Sequence, residues 1–164
     1  GNPWEYYSRW TLPGSGRVAV TRLWFWQPDA TLASNEAVQM AIYEDTPPYS
    51  RISEVVTIPG TGLRGWTSTI LSTPITIDLG KTYFFGVISS SDMTAFSISY
   101  DAATPFCGSY SPMPNFPTTI VTFYKGASGG LDSKVPVSLS CPGDGSESFC
   151  DYGHAGLFGV SWVK

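Results

Sequence analysis

Period-two alternation of apolar and polar side chains through the middle of the chain constrains its fold more than any other feature. Ile75, Ile77 and Leu79 alternate with Thr76 and Asp78. After the Gly80-Lys81 turn, Tyr83, Phe85 and Val87 alternate with Phe84, Gly86 and Ile88. Phe96, Ile98 and Tyr100 then alternate with Ser97 and Ser99. An α-helix repeats about every 3.6 residues and cannot gather such a pattern onto one face, whereas a pleated strand places every second side chain on the same side. The stretch from Trp66 to Tyr100 therefore reads as strand, turn, strand, turn, strand.

The same punctuation extends to the rest of the chain. Strands are expected at Tyr6 to Thr11, Arg17 to Gln27, Val38 to Tyr43, Ile52 to Ile58 and Trp66 to Leu71, separated by Gly- and Pro-bearing turns such as Pro13-Gly14-Ser15-Gly16 and Thr46-Pro47-Pro48-Tyr49. Further strands are expected at Thr119 to Tyr124, Lys134 to Leu139 and Leu157 to Val163, the last with Phe158, Val160 and Trp162 on one face. The Arg17 to Gln27 strand has a register conflict. Val18 and Val20 share one phase and Leu23 and Phe25 the other, so either both faces are buried or a bulge near Thr21-Arg22 switches the face. With no internal boundary and no repeat, residues 1–164 read as a single all-β domain, a jelly-roll-like sandwich of two antiparallel sheets.

Composition agrees with that class and removes others. Charged residues are only 13% of the chain, too few to solvate the outer faces of a helical protein, while Ser, Thr and Tyr suffice for a sheet. Nine Lys and Arg and a net charge of −4 leave no basic stripe for a run of phosphates, so neither nucleic acid nor an anionic membrane surface is an expected partner. No apolar run approaches the ~18 residues of a membrane-spanning helix, and no membrane insertion is expected. The chain begins at Gly1 rather than Met and carries no signal peptide, and the expectation is a processed or excised fragment that has shed any targeting segment. Among the three cysteines, Cys141 and Cys150 bracket a Gly/Ser loop that a disulfide could close, leaving Cys107; three reduced thiols is the alternative.

Chemistry-bearing residues are sparse. His154 is the only histidine and lies in Gly153-His154-Ala155-Gly156, with no nucleophile-elbow pattern nearby. The Gly-rich stretches carry neither a P-loop nor a dinucleotide fingerprint, and no cofactor is expected. Asp144, Glu147 and Asp151, spaced by Gly and Ser, could offer hard oxygen ligands to Ca2+, though not at EF-hand spacing; a solvated acidic loop is the plain alternative. The aromatics say more. If Leu23 and Phe25 face the core, Trp24 and Trp26 face outward with Arg22 beside them. Tyr49, Tyr110 and Tyr152 sit in loops, where a ring either folds back or meets a partner. Outward Trp and Tyr rings stack on the C–H faces of sugars, while Arg22, Asp144 and Asp151 could fix hydroxyls; core or inter-subunit packing is the competing role for each ring.

Several segments carry a resemblance. Tyr7-Ser8-Arg9-Trp10-Thr11-Leu12-Pro13, Ala41-Ile42-Tyr43-Glu44-Asp45, Gly65-Trp66 and Leu79-Gly80-Lys81-Thr82-Tyr83-Phe84-Phe85-Gly86-Val87 resemble, in that order, the strands of a jelly-roll module found in phage tail-fibre and adhesin-type proteins and in secreted bacterial proteins. The resemblance covers Tyr6 to Tyr100 and implies a sandwich displayed outside a cell or on a virion; the last third of the chain departs from it. Trp4-Glu5-Tyr6-Tyr7 is similar to the strand bearing one catalytic carboxylate in small jelly-roll xylanases, but their second glutamate motif is absent, and Glu44 and Glu54 lie in other contexts. The expectation is a non-catalytic module that binds a cell-surface glycan or receptor, extracellular or on a virion surface. The alternatives are a structural protein that oligomerises, for example as a trimer, and a small jelly-roll glycoside hydrolase.

Overall fold

A computed structural model describes residues 4–11, 14–27, 37–63, 65–89, 122–126, 130–135, 148–151 and 158–163. Nine strands run in order: β1 (Trp4–Thr11), β2 (Gly16–Gln27), β3 (Ala37–Glu44), β4 (Val56–Pro59), β5 (Gly65–Leu79), β6 (Thr82–Ser89), β7 (Thr122–Gly126), β8 (Ser148–Asp151) and β9 (Phe158–Val163). They form a six-stranded sheet, β4-β3-β6-β1-β7-β8, and a three-stranded sheet, β5-β2-β9. Every pairing is antiparallel. There is no helix among the described residues. The chain crosses repeatedly between layers, so strands close in sequence seldom pair, and β1 meets β6 and β7 from far along the chain.

The alternation that identifies the strands also builds the core. Val18, Val20, Leu23 and Phe25 of β2, Leu71 and Ile77 of β5 and Val160 of β9 meet Val38, Met40 and Ile42 of β3, Val56 and Ile58 of β4, and Tyr83, Phe85 and Val87 of β6. Two sheets packed through such a layer stand about 10 Å apart. The register conflict in β2 resolves as a bulge between Val20 and Arg22, seen against both neighbours. One extra residue there keeps Val18, Val20, Leu23 and Phe25 all inside.

Four expectations change. Trp66 to Leu71 and Ile75 to Leu79 are not separate strands but one 15-residue strand, β5. Its register on β2 jumps from Ile70 opposite Arg22 to Ile75 opposite Val20. The expected Ile52 to Ile58 strand shortens to β4 because the Ser53 hydroxyl takes the Ile42 N–H that a ladder partner would have used, at 2.8 Å. Of the strand expected at Thr119 to Tyr124, the described part lies in β7, which runs on to Gly126. The acidic stretch read as a loop ends in a strand, since Cys150 and Asp151 pair with Phe123 and Thr122 as part of β8. The Phe96 to Tyr100 segment and most of Lys134 to Leu139 lie outside the described residues. At the β5–β6 turn, Gly80 has φ +86°, a conformation that L side chains rarely adopt.

Candidate functional site

The two sheets leave two outer faces, and they differ. On the six-stranded sheet Tyr7, Ala41, Tyr43, Phe84 and Ile88 form a second buried cluster with Leu131 and Val135. Residues 130–135 lie across this face as a strap. The Asp132 N–H donates to the Tyr7 hydroxyl at 3.0 Å, and the Tyr43 hydroxyl donates to the Asp132 carbonyl at 2.6 Å. Arg51 N–H donates to the Ser133 carbonyl, and Val135 N–H to the Tyr49 carbonyl. The Tyr7 and Tyr43 rings meet edge to face at 5.3 Å. Burial pushes the Tyr43 phenol up to about 12, and burial with the neighbouring Tyr43 and Glu5 holds Tyr7 above its ordinary range. Both are neutral phenols at physiological pH and fasten the strap rather than present a ligand site.

Glu5 belongs to this closed face and is 0% exposed. Glu44 ends β3, paired with Lys81 at 3.2 Å. Register places Glu5 opposite Ile88, and Ile88 opposite Gln39, five residues along β3 from Glu44 and in the opposite phase. Five strand residues span about 17 Å, against the roughly 5–5.5 Å that a retaining glycosidase needs between its carboxyl groups. Glu54 is engaged elsewhere, accepting from the Ser72 hydroxyl and from the backbone N–H of Ser72 and Thr73. The sandwich does not bring these carboxylates together.

The outer face of the three-stranded sheet is different. The β2 bulge turns Arg22 and Trp24 away from the core. Trp24 lies between Ser68 of β5 and Gly159 of β9 in register, and its indole N–H donates to the Ser161 hydroxyl at 2.9 Å. Arg22 Nη1 donates to the Ser68 hydroxyl at 2.8 Å, and its guanidinium carbon stands 5.9 Å from the Trp24 ring centroid. Thr21 donates to the Ser161 carbonyl. Solvent reaches both flanks, where Ile70 on β5 is 62% exposed and Val163 on β9 is 57% exposed. Trp26 follows along β2 in the phase of Trp24, opposite Trp66. The arrangement is an aromatic ring and a guanidinium fixed side by side on a rigid sheet among hydroxyls.

Of the residues singled out from the sequence, Arg22 and Trp24 come together here, with Trp26 next along the strand. Tyr49 does not join them. Its backbone, at φ 59°, turns the ring onto Phe84 at 6.1 Å, across the whole sandwich from Trp24. Asp151 is also apart, in the edge strand β8 of the other sheet. Tyr110, Tyr152, Asp144, Glu147, Cys107, Cys141 and His154 lie outside the described residues, and with them the Ca2+ loop and the Cys141–Cys150 pairing. Among the described residues no group of three or more His, Cys, Asp or Glu is placed to hold a metal ion. Ser68, Ile70, Ser161 and Val163 were missed, although Val160 and Trp162 facing in already imply Ser161 and Val163 facing out. Comparison with protein-family models, curated proteins and solved structures finds no match to this chain.

Proposed function

We propose that the chain is a non-catalytic recognition module, displayed outside a cell or on a virion, and that the outer face of the β5-β2-β9 sheet binds a surface glycan or receptor. The observation that carries this is the Arg22–Trp24 pair, fixed outward at the centre of that sheet by Ser68 and Ser161. A ring held by its own N–H loses little freedom on stacking against a sugar, and nearby hydroxyls can read the sugar's hydroxyl pattern. The two-sheet architecture is compatible with a jelly-roll module of the tail-fibre and adhesin kind. Hydrolysis has less support, because its best candidate, Glu5, is fully buried.

A glycan array probed with the purified chain, with Ca2+ and with chelator, tests the reading. Binding that is abolished in Trp24→Ala supports it; absence of any binding counts against it. Ile70 and Val163 favour a second reading, because two exposed apolar side chains on the same face also suit an interface between copies of the chain. Sedimentation would then give a stable dimer or trimer that Trp24→Ala dissociates.

A further inference from the structure

Resting on the reading of this face as a saccharide platform, we propose that its ligand is an acidic saccharide, bearing carboxylate or sulfate groups, and that Arg22 selects for that charge. Among the described cations, Arg9, Arg17 and Lys81 are each ion-paired, with Asp45, Asp78 and Glu44, while Arg51 and Lys134 lie at the strap on the other sheet. Arg22 is held by a neutral hydroxyl and an aromatic ring instead. A guanidinium has five N–H donors and cannot shed its charge, and its planar fork fits two oxygens of one carboxylate or sulfate. Only Nη1 is engaged, by Ser68, among the described residues.

The placement of the described carboxylates sharpens the point. Glu5 and Asp132 lie on the far side of the sandwich, and the charged residues of β2, β5 and β9 are Arg17, Arg22 and Asp78, of which Arg17 and Asp78 pair with each other. Arg22 is therefore the unmatched charge on the strands of this sheet, on a chain whose net charge is −4. An anionic polymer would be repelled by the chain as a whole and favoured at this spot, so the contrast gives position as well as affinity. The adjoining Trp24 ring distinguishes a sugar ring carrying the charge from a bare inorganic anion, which would gain nothing from an aromatic surface.

The test measures binding of oligogalacturonate, dextran sulfate and unmodified dextran to the full chain, to Arg22→Met, Arg22→Lys and Trp24→Ala, each checked for an unchanged thermal transition. We expect at least one acidic polymer to bind more tightly than dextran and to weaken about 10-fold or more in Arg22→Met. Arg22→Lys should lie between, since it keeps the charge and loses the fork. Affinity of the unaltered chain should fall between about 50 and 300 mM salt. The carboxylate and sulfate arms show which acid is preferred. Dextran bound as well as the acidic polymers, with Arg22→Met unchanged and Trp24→Ala defective, overturns the charge selection and leaves the platform standing. No saccharide bound by the unaltered chain overturns both. Acidic binding that survives both Arg22→Met and Trp24→Ala is diffuse attraction and overturns the proposal.

Discussion

Gly86 stands where two tyrosine rings cross. A Cβ there would lie 2.7 Å from Tyr43 Cε2 and 3.0 Å from Tyr7 Cε1, so the hydrogen side chain lets both rings pass over β6 to reach the strap. Gly86→Ala should cost about 1–3 kcal/mol by overpacking, read as a lower urea midpoint with the m-value retained. Tyr43→Phe removes the donor to the Asp132 carbonyl and should destabilise the fold by about 1–3 kcal/mol. It also tests the alkaline limit. The Tyr43 phenol rises from 10.0 to about 12 on folding, so its contribution is fully present below pH 10 and is lost as pH climbs towards 12. Melts of Tyr43→Phe should therefore fall less steeply across that window than those of the unaltered chain.

At the scale of strands, the features that matter are two irregularities facing each other. Thr21 is the extra residue of β2, and Leu71 to Pro74 form the extra length of β5 opposite it. Deleting Thr21 restores regular alternation, Val20 in, Arg22 out, Leu23 in. The shortened chain should keep a cooperative transition and lose only the Thr21–Ser161 hydrogen bond and local twist. Deleting Ala19 instead throws Val18, 3% exposed, out of phase and should abolish that transition. Glu54 pins the β5 excursion through Ser72 and Thr73, and those hydrogen bonds hold its carboxyl below the ordinary 4.5. Its contribution is present above pH 4.5 and disappears as pH falls through the lower folded value. Glu54→Gln should flatten the acid limb of the stability profile and speed amide exchange at Ser72 and Thr73. The bulge was legible in the sequence because Val18, Val20, Leu23 and Phe25 are apolar in conflicting phases. That conflict also pointed outward to Arg22 and Trp24. The strap was not legible, since Leu131 and Val135 belong to no alternating run. Its one trace is Tyr83-Phe84-Phe85, apolar in both phases because both faces of β6 are covered. Four residues of β8 are too few to show a period, and the side on which Tyr49 packs was not legible because a ring in a turn gives no phase at all.

Across the whole molecule, the defining feature is that β1 lies inside the larger sheet, joined to β6 on one side and β7 on the other. A chain lacking residues 1–11 loses the strand between these two ladders, and with it Glu5 and Tyr7 from the closed face. It should show no cooperative thermal transition, whereas adding the 1–11 peptide to the truncated chain should recover strand signal in the amide I band. The same position sets a schedule for synthesis. β1 leaves the ribosome before either neighbour exists, and β7 begins only at Thr122. At about 5–20 residues per second the nascent strand waits on the order of ten seconds, carrying Trp4, Tyr6, Tyr7 and Trp10 without a sheet to enter. Holding chaperones would have that interval in which to meet these aromatics, and yield in expression should depend on how well they are shielded until β7 is made.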